Sequence, residues 1–171
     1  MLANQDIRQA YRRSTVGPFW LTIGMAVQIV TMGLVFGLIF KTEMHEYLPF
    51  LATSIILWGL ISTTINEGCM AFINAEAIIK QLRIPHFQHV FRVVWRNVAT
   101  AGHNVIILPL VFLFFLVAPN WSLAAVLPGL IILILNLTWV VWLLGMMSAR
   151  YRDMPPIVNS LVTIAFYVTP I

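Results

Sequence analysis

Charge is scarce in this chain. Of its 171 residues, 9% are Asp, Glu, Lys or Arg and 60% are hydrophobic, where a soluble domain carries about 25% charged residues. An ordinary water-soluble fold is excluded. Cysteine is almost absent too: Cys69 stands alone, which rules out an internal disulfide and leaves the redox compartment open. No GxxxxGK[ST] stretch occurs, so the chain has no phosphate-cradling loop of its own. His86 and His89 lie three apart without a third ligand at metal spacing, and read as loop histidines rather than a zinc site. No nucleophile stands with a base. Neither catalysis, a cofactor nor a bound metal is expected.

Long apolar runs fill the space that charge leaves. "PFWLTIGMAVQIVTMGLVFGLIF", residues 18–40, contains no charged side chain. As a helix it would reach roughly 34 Å, enough for a bilayer core of about 30 Å. It is too long for the core of a cleaved signal, and no small-residue cleavage site follows it. Similar runs follow at 47–68, 98–118 and 122–149, and a fifth begins at Pro156 and continues to Ile171. The mean hydropathy of +0.90 agrees. The expected fold is all-α, a polytopic helical membrane protein read as one domain over 1–171. Only 16 residues remain from Pro156, short of a span of about 20, so a longer natural protein is expected.

The few charges are sorted by side. With the N-terminus in the cytoplasm, Arg8, Arg12 and Arg13 stay inside, and the first outer turn, "KTEMHEY", holds one Lys and two Glu. Lys80, Arg83, Arg92, Arg96, Arg150 and Arg152 return inside, and "PNW" outside is uncharged. Nine of the ten Lys and Arg then face the cytoplasm, the bias that sets orientation in helical membrane proteins. The net +4 needs no nucleic-acid partner to explain it.

Two polar segments stand out. In residues 1–16, Ile7, Ala10, Tyr11 and Ser14 share a helical face beside Arg8, Arg12 and Arg13, as in a basic helix lying on the inner leaflet; a frayed basic tail is the alternative. Residues 74–96 read as two short cytoplasmic helices meeting at Pro85, either a solvated connector or a docking surface. His103 reads as a hydrogen-bonded packing residue, since no acidic or Lys partner shares its run. Glu67 sits at the inner end of the second run, within reach of water or an Arg.

Three apolar runs carry a polar and aromatic stripe at helical spacing: Trp20, Gly24, Gln28 and Thr31; Ser54, Trp58, Ser62 and Asn66; and Asn159, Thr163, Phe166, Tyr167 and Pro170. Such stripes either glue helices together or line a wet path for a polar substrate with apolar faces, such as a sugar chain. The candidate path residues are Trp20, Gln28, Trp58, Asn66, Asn159 and Tyr167. Gly33 and Gly37 form a GxxxG pattern on another face and read as a close-packing site.

"DIRQAYRRSTVGPFW" resembles the opening of permease subunits of polysaccharide-exporting ABC transporters, the O-antigen and teichoic-acid group, through Asp6, Tyr11, Arg12, Ser14, Gly17, Pro18 and Trp20. "NEGCMAFINAEAIIKQLRIPHF" is similar to that family's second-span exit and loop, at Glu67, Gly68, Asn74, Ile79, Lys80 and Pro85. "RYRDMPPIVNSLVTIAFYVTPI" resembles its Arg-Asp turn and Thr-Pro-Ile ending, at Arg152, Asp153, Thr169, Pro170 and Ile171. The resemblance implies a six-span subunit, of which five spans are present, paired with a second copy of itself in the bacterial inner membrane. Two copies of a separate ATP-binding subunit would dock on a coupling helix at Lys80, Arg83, Pro85 and His86, and Tyr11, Arg12 and Arg13 would belong to the interfacial helix. A lipid-linked glycan would pass between the permeases. A related ABC permease for drugs or lipids is the alternative. A secondary transporter or channel would need intramembrane charges or inverted repeats, and neither is expected from the sequence.

Overall fold

In a computed structural model, which describes residues 19–41, 43–81, 85–115 and 125–169, the chain is helical and no strand occurs among the described residues. Helix α1 runs Phe19–Phe40 and α2 Met44–Cys69. Short turns of helix follow as α3, Ala71–Asn74, and α4, Glu76–Gln81. Then come α5, Phe87–Asn104, and α6, Ile107–Phe114, α7, Val126–Arg150, and α8, Met154–Val168. Four stretches are long and apolar enough to cross a bilayer: Phe19–Ile39, Tyr47–Cys69, Phe87–Phe114 and Val126–Arg150. Helix α8 is a shorter apolar helix of 15 residues. This is an all-α, multi-pass membrane protein. The proposed interfacial helix over 1–16, with Tyr11, Arg12 and Arg13, lies outside the described residues.

The apolar side chains are arranged for lipid rather than water. Leu38, Leu113, Phe114, Leu127, Leu135 and Trp139 are all more than half exposed, a surface no soluble monomer would carry. What is buried gathers around α2, which packs against α1, α5, α6, α7 and α8. One cluster joins Ile29 of α1, Leu51, Ala52, Ile55 and Ile56 of α2, and Ile107 of α6; another joins Phe72, Val90, Val94 and Val141. Lipid competes for apolar contact as well as protein does, so close backbone approach carries much of the packing in such bundles. Gly33 and Gly37 do form a seam, as expected. A Cβ on Gly33 would lie 3.0 Å from Leu48 Cδ1, and one on Gly37 2.8 Å from Met44 Cε. The tighter seam joins α2 and α7: a Cβ on Gly68 would meet Val141 Cγ2 at 2.7 Å, and one on Gly145 would lie 3.1 Å from the Gly68 carbonyl.

The third span departs from expectation. A span beginning at Val98 has no counterpart in the backbone, because α5 starts at Phe87 and runs unbroken past Val98 to Asn104. Residues 87–96, expected as a cytoplasmic helix, are the first half of a helix that enters the membrane run Phe87–Phe114. The interruption falls later, at Val105–Ile106, and Pro109 is its cause. Proline has no N–H to give the Val105 carbonyl, and its ring crowds that carbonyl in a regular helix. Leu108 N–H donates to Val105 O instead, at 3.0 Å, and the chain resumes as α6.

Candidate functional site

Because α5 begins at Phe87, His89, Arg92 and Arg96 share one continuous helix with the residues that open the third apolar run. That helix has a polar face. Arg96, Asn97, Thr100 and Asn104 recur at helical spacing and look toward the gap between α1 and α2. There they line a cleft of about 620 Å³ together with Trp20, Gly24 and Gln28 of α1 and Thr63 and Glu67 of α2. A second cleft of about 690 Å³ lies on the side of α3 and α4. Its walls include Asn66 and Glu67 of α2, Asn74 of α3, Ile78 of α4, and His89, Arg92 and Arg96 of α5. Glu67 and Arg96 are the two residues common to both.

These two residues are bonded to each other. Arg96 Nη2 donates to Glu67 Oε2 at 2.7 Å, and Asn97 Nδ2 donates to the same oxygen at 2.6 Å. Asn97 is buried and also donates to Val93 O at 3.0 Å. Glu67 lies at the inner end of the second candidate span, as expected, and Arg96 lies in the first half of the third. A carboxylate and a guanidinium persist at such a place because each satisfies the other and the clefts admit water. Further along, Asn104 is 94% buried, and its Oδ1 lacks a hydrogen-bond partner. An amide left so in hydrocarbon costs several kcal/mol. Asn104 lines the cleft, while this oxygen itself is shielded from it. His103 is not part of this face: its Nδ1 lies 2.7 Å from Ala99 O and its ring meets Phe19 edge-on at 6.2 Å, the packing role expected of it.

No protein-family model matches the chain. Its curated relatives carry one name. Over 173 residues it is 21% identical to the "O-antigen export system permease protein RfbA" of Myxococcus xanthus, covering 99% of this chain and 65% of that protein. Two proteins of the same name from Klebsiella pneumoniae are each 22% identical over 179 residues, covering 100% of this chain and 66% of theirs. This chain is similar to O-antigen export permeases. The resemblance carried by its motifs therefore extends along its whole length, while the chain spans about two thirds of the length of these relatives.

The six path residues expected from the sequence do not come together. Trp20 and Gln28 share the first cleft, called upper from here on, and Asn66 lines the second, called lower. Trp58 instead meets Phe166 of α8 at a tilt, ring centroids 5.7 Å apart and planes at 51°, so that part of the α2 stripe packs against α8. Asn159 is exposed, and Tyr167 is 81% exposed. The polar face of α5 was missed. Its signal, Asn97, Thr100 and Asn104 at i, i+3 and i+7, straddles Val98, where the sequence reading divided loop from span.

Of the residues expected to couple, Lys80, Pro85 and His86 line neither cleft. Lys80 Nζ donates to Glu76 Oε1 at 2.6 Å, and Arg152 Nη2 stands 3.7 Å from Glu76 Oε2. The hydrogen bond and charge of Lys80, with Arg152 beyond, hold the Glu76 carboxyl below its usual range. All three are exposed, where such pairs contribute little to stability. Pro85 and His86 are exposed, and the His86 ring lies 6.2 Å from Phe72. Arg83 lies outside the described residues.

Proposed function

We propose that this protein is the membrane subunit of an ABC exporter that moves a lipid-linked polysaccharide of the cell envelope out of the cytoplasm. A separate ATP-binding subunit, in two copies, drives a homodimer of permeases in the bacterial inner membrane, with the N-terminus cytoplasmic. The chain contributes no catalysis and no cofactor. The observation that carries the reading is the upper cleft: amides and hydroxyls of Gln28, Thr63, Asn97, Thr100 and Asn104 inside a membrane bundle, with Trp20 beside them. Such groups bond sugar hydroxyls, and an indole face stacks on sugar C–H faces. Relatives named as O-antigen export permeases support the same class.

One observation favours a second reading. The Glu67–Arg96 pair within membrane runs meets a requirement of secondary transporters. Dependence on an ATP-binding partner separates the two. Charge reversal as Lys80→Glu with Arg83→Glu is expected to abolish co-purification of that partner and surface display of the glycan, with the permease still folded in detergent. Normal coupling in the double variant places docking elsewhere; glycan display that persists without any ATP-binding partner favours the secondary transporter.

Orientation is tested separately. Cysteines at Thr42 and Asn120 are expected to react with an impermeant thiol reagent in intact cells, and one at Gln81 to react only after lysis. Cys69 is fully buried and gives little background. Labelling at Gln81 alone reverses the orientation.

A further inference from the structure

Glycine weakens a helix interior, because without a Cβ the unfolded backbone has more freedom to lose, so each one in a membrane span needs a reason. Gly33, Gly37, Gly68 and Gly145 have theirs: a Cβ on any of them would crowd a neighbour at 3.0 Å or less. Gly24 has no reason of that kind. A Cβ built there meets nothing within 4 Å, and the residue is exposed. Gly102 and Gly129 are equally open, but they line neither cleft. Gly24 does line one: it stands in the upper cleft with Trp20 four residues before it and Gln28 four residues after. At helical rise the three residues cover about 12 Å along one face of α1. The missing side chain leaves a dip of bare backbone between an indole and an amide. The charges of this cleft are already engaged with each other. Glu67 and Arg96 are its two charged side chains among the described residues, and one Glu67 oxygen takes Arg96 Nη2 at 2.7 Å and Asn97 Nδ2 at 2.6 Å. An anionic ligand would face that carboxylate with its guanidinium occupied, and an unpaired charge in a poorly hydrated cleft is costly. Gln28, Thr63 and Thr100 offer neutral donors and acceptors instead.

We infer that Gly24 sets what the upper cleft admits: an uncharged pyranose ring of the polymer lies against the bare backbone there, flanked by Trp20 and Gln28. The inference rests on the reading of the chain as a polysaccharide exporter, and adds to it the charge class of the sugar and the residue that gives it room. The Trp20 ring offers an apolar face to sugar C–H groups, and the Gln28 amide bonds the hydroxyls at the ring's edge. A Cβ at position 24 narrows the dip without touching the rest of the chain. Fold and fit are therefore separable at this residue: a larger side chain obstructs the ligand while the helix itself gains a better helix former.

The test uses the purified full-length protein in dodecyldimethylamine oxide, a detergent with no sugar headgroup to compete, and two probes: maltohexaose, which is neutral, and hexagalacturonate, which carries a carboxylate on each ring. The wild type is expected to bind maltohexaose at least tenfold tighter than hexagalacturonate. Maltohexaose binding is expected to weaken about threefold in Gly24→Ala and at least tenfold in Gly24→Leu, with the unfolding temperature of both equal to or above that of the wild type. Gly129→Leu, at an equally open position off the clefts, is expected to bind as the wild type does. Equal affinity of the wild type for the two probes, or preference for the acidic one, overturns the uncharged class without recourse to any variant. Undiminished maltohexaose binding in both folded Gly24 variants overturns the residue assignment. A Gly24→Ala protein that loses stability, or that elutes at a smaller size than the wild type, also overturns it and makes the glycine a packing contact. Glycan display, measured separately in cells, keeps the two readings apart. Display that requires the gene, with no maltohexaose binding by the protein, removes this site alone; selective binding with display unaffected by loss of the gene keeps the site and removes the export reading.

Discussion

Glu67→Leu is expected to destabilise the protein by about 1–3 kcal/mol and to abolish glycan export. The substitution removes the acceptor that holds Arg96 Nη2 at 2.7 Å and Asn97 Nδ2 at 2.6 Å. It leaves a guanidinium within a membrane run, with the Glu67 oxygens gone. Breaking a fully buried pair costs about 3–5 kcal/mol, and partial hydration lowers that here, because the two side chains are 38% and 43% exposed. The double variant Glu67→Leu with Arg96→Leu removes both charges, and Asn97 keeps its bond to Val93 O. Its unfolding temperature in detergent is expected to return close to that of the wild type. Export is not expected to return, since both clefts lose the boundary they share. Two results would count against this account: a single variant as stable as the wild type, or a stable double variant that exports normally.

Which parts were legible in the sequence follows from what each residue needs around it. The first span was plain, because residues 18–40 carry no charge and a bilayer is their one low-energy surrounding. Gly33 and Gly37 signalled a seam, since small residues four apart have little other use on a lipid-facing helix. Glu67 was expected within reach of water or an Arg, and Arg96 donates to it at 2.7 Å. The start of the third span was hidden by its own amphipathicity. Gln88, His89, Arg92, Arg96 and Asn97 lower the hydropathy of residues 87–97, although Val90, Val93 and Val94 of the same segment are buried and Phe91 stacks between Phe87 and Trp95 at 6.2 Å from each. Alone it reads as a surface helix. Only the presence of Glu67 on α2 and of the clefts makes its polar face compatible with a membrane.

The stripe on α2 divides between two surroundings. Helix α2 is surrounded by α1, α5, α6, α7 and α8, so nearly every face of it meets protein. A polar residue anywhere on it can be satisfied, and spacing alone does not say by which neighbour. Trp58 and Asn66 sit on one sequence stripe. One meets Phe166 and the other the lower cleft.

The two tryptophans therefore separate a substrate path from a packing seam. Trp20 is 66% exposed and stands at the upper cleft with Gln28, whereas Trp58 fills the α2–α8 seam. Leucine retains apolar character at either tryptophan and removes the flat ring; at Gln28 it removes the amide. In Trp20→Leu and Gln28→Leu, glycan export is expected to fall about tenfold each, equivalent to about 1.4 kcal/mol of lost interaction with the substrate. Unfolding temperature and partner co-purification should hold, because neither side chain is buried in a packed seam. Trp58→Leu is expected to do the reverse. Losing the ring that meets Phe166 at 5.7 Å costs about 1–3 kcal/mol of stability, and export per folded molecule should stay near the wild-type value. Tyr167→Leu, at an 81% exposed position, should leave both quantities unchanged. Export that falls with Trp58→Leu and Tyr167→Leu but not with Trp20→Leu or Gln28→Leu would move the path from the α1–α2–α5 cleft to the α2–α8 side of the bundle.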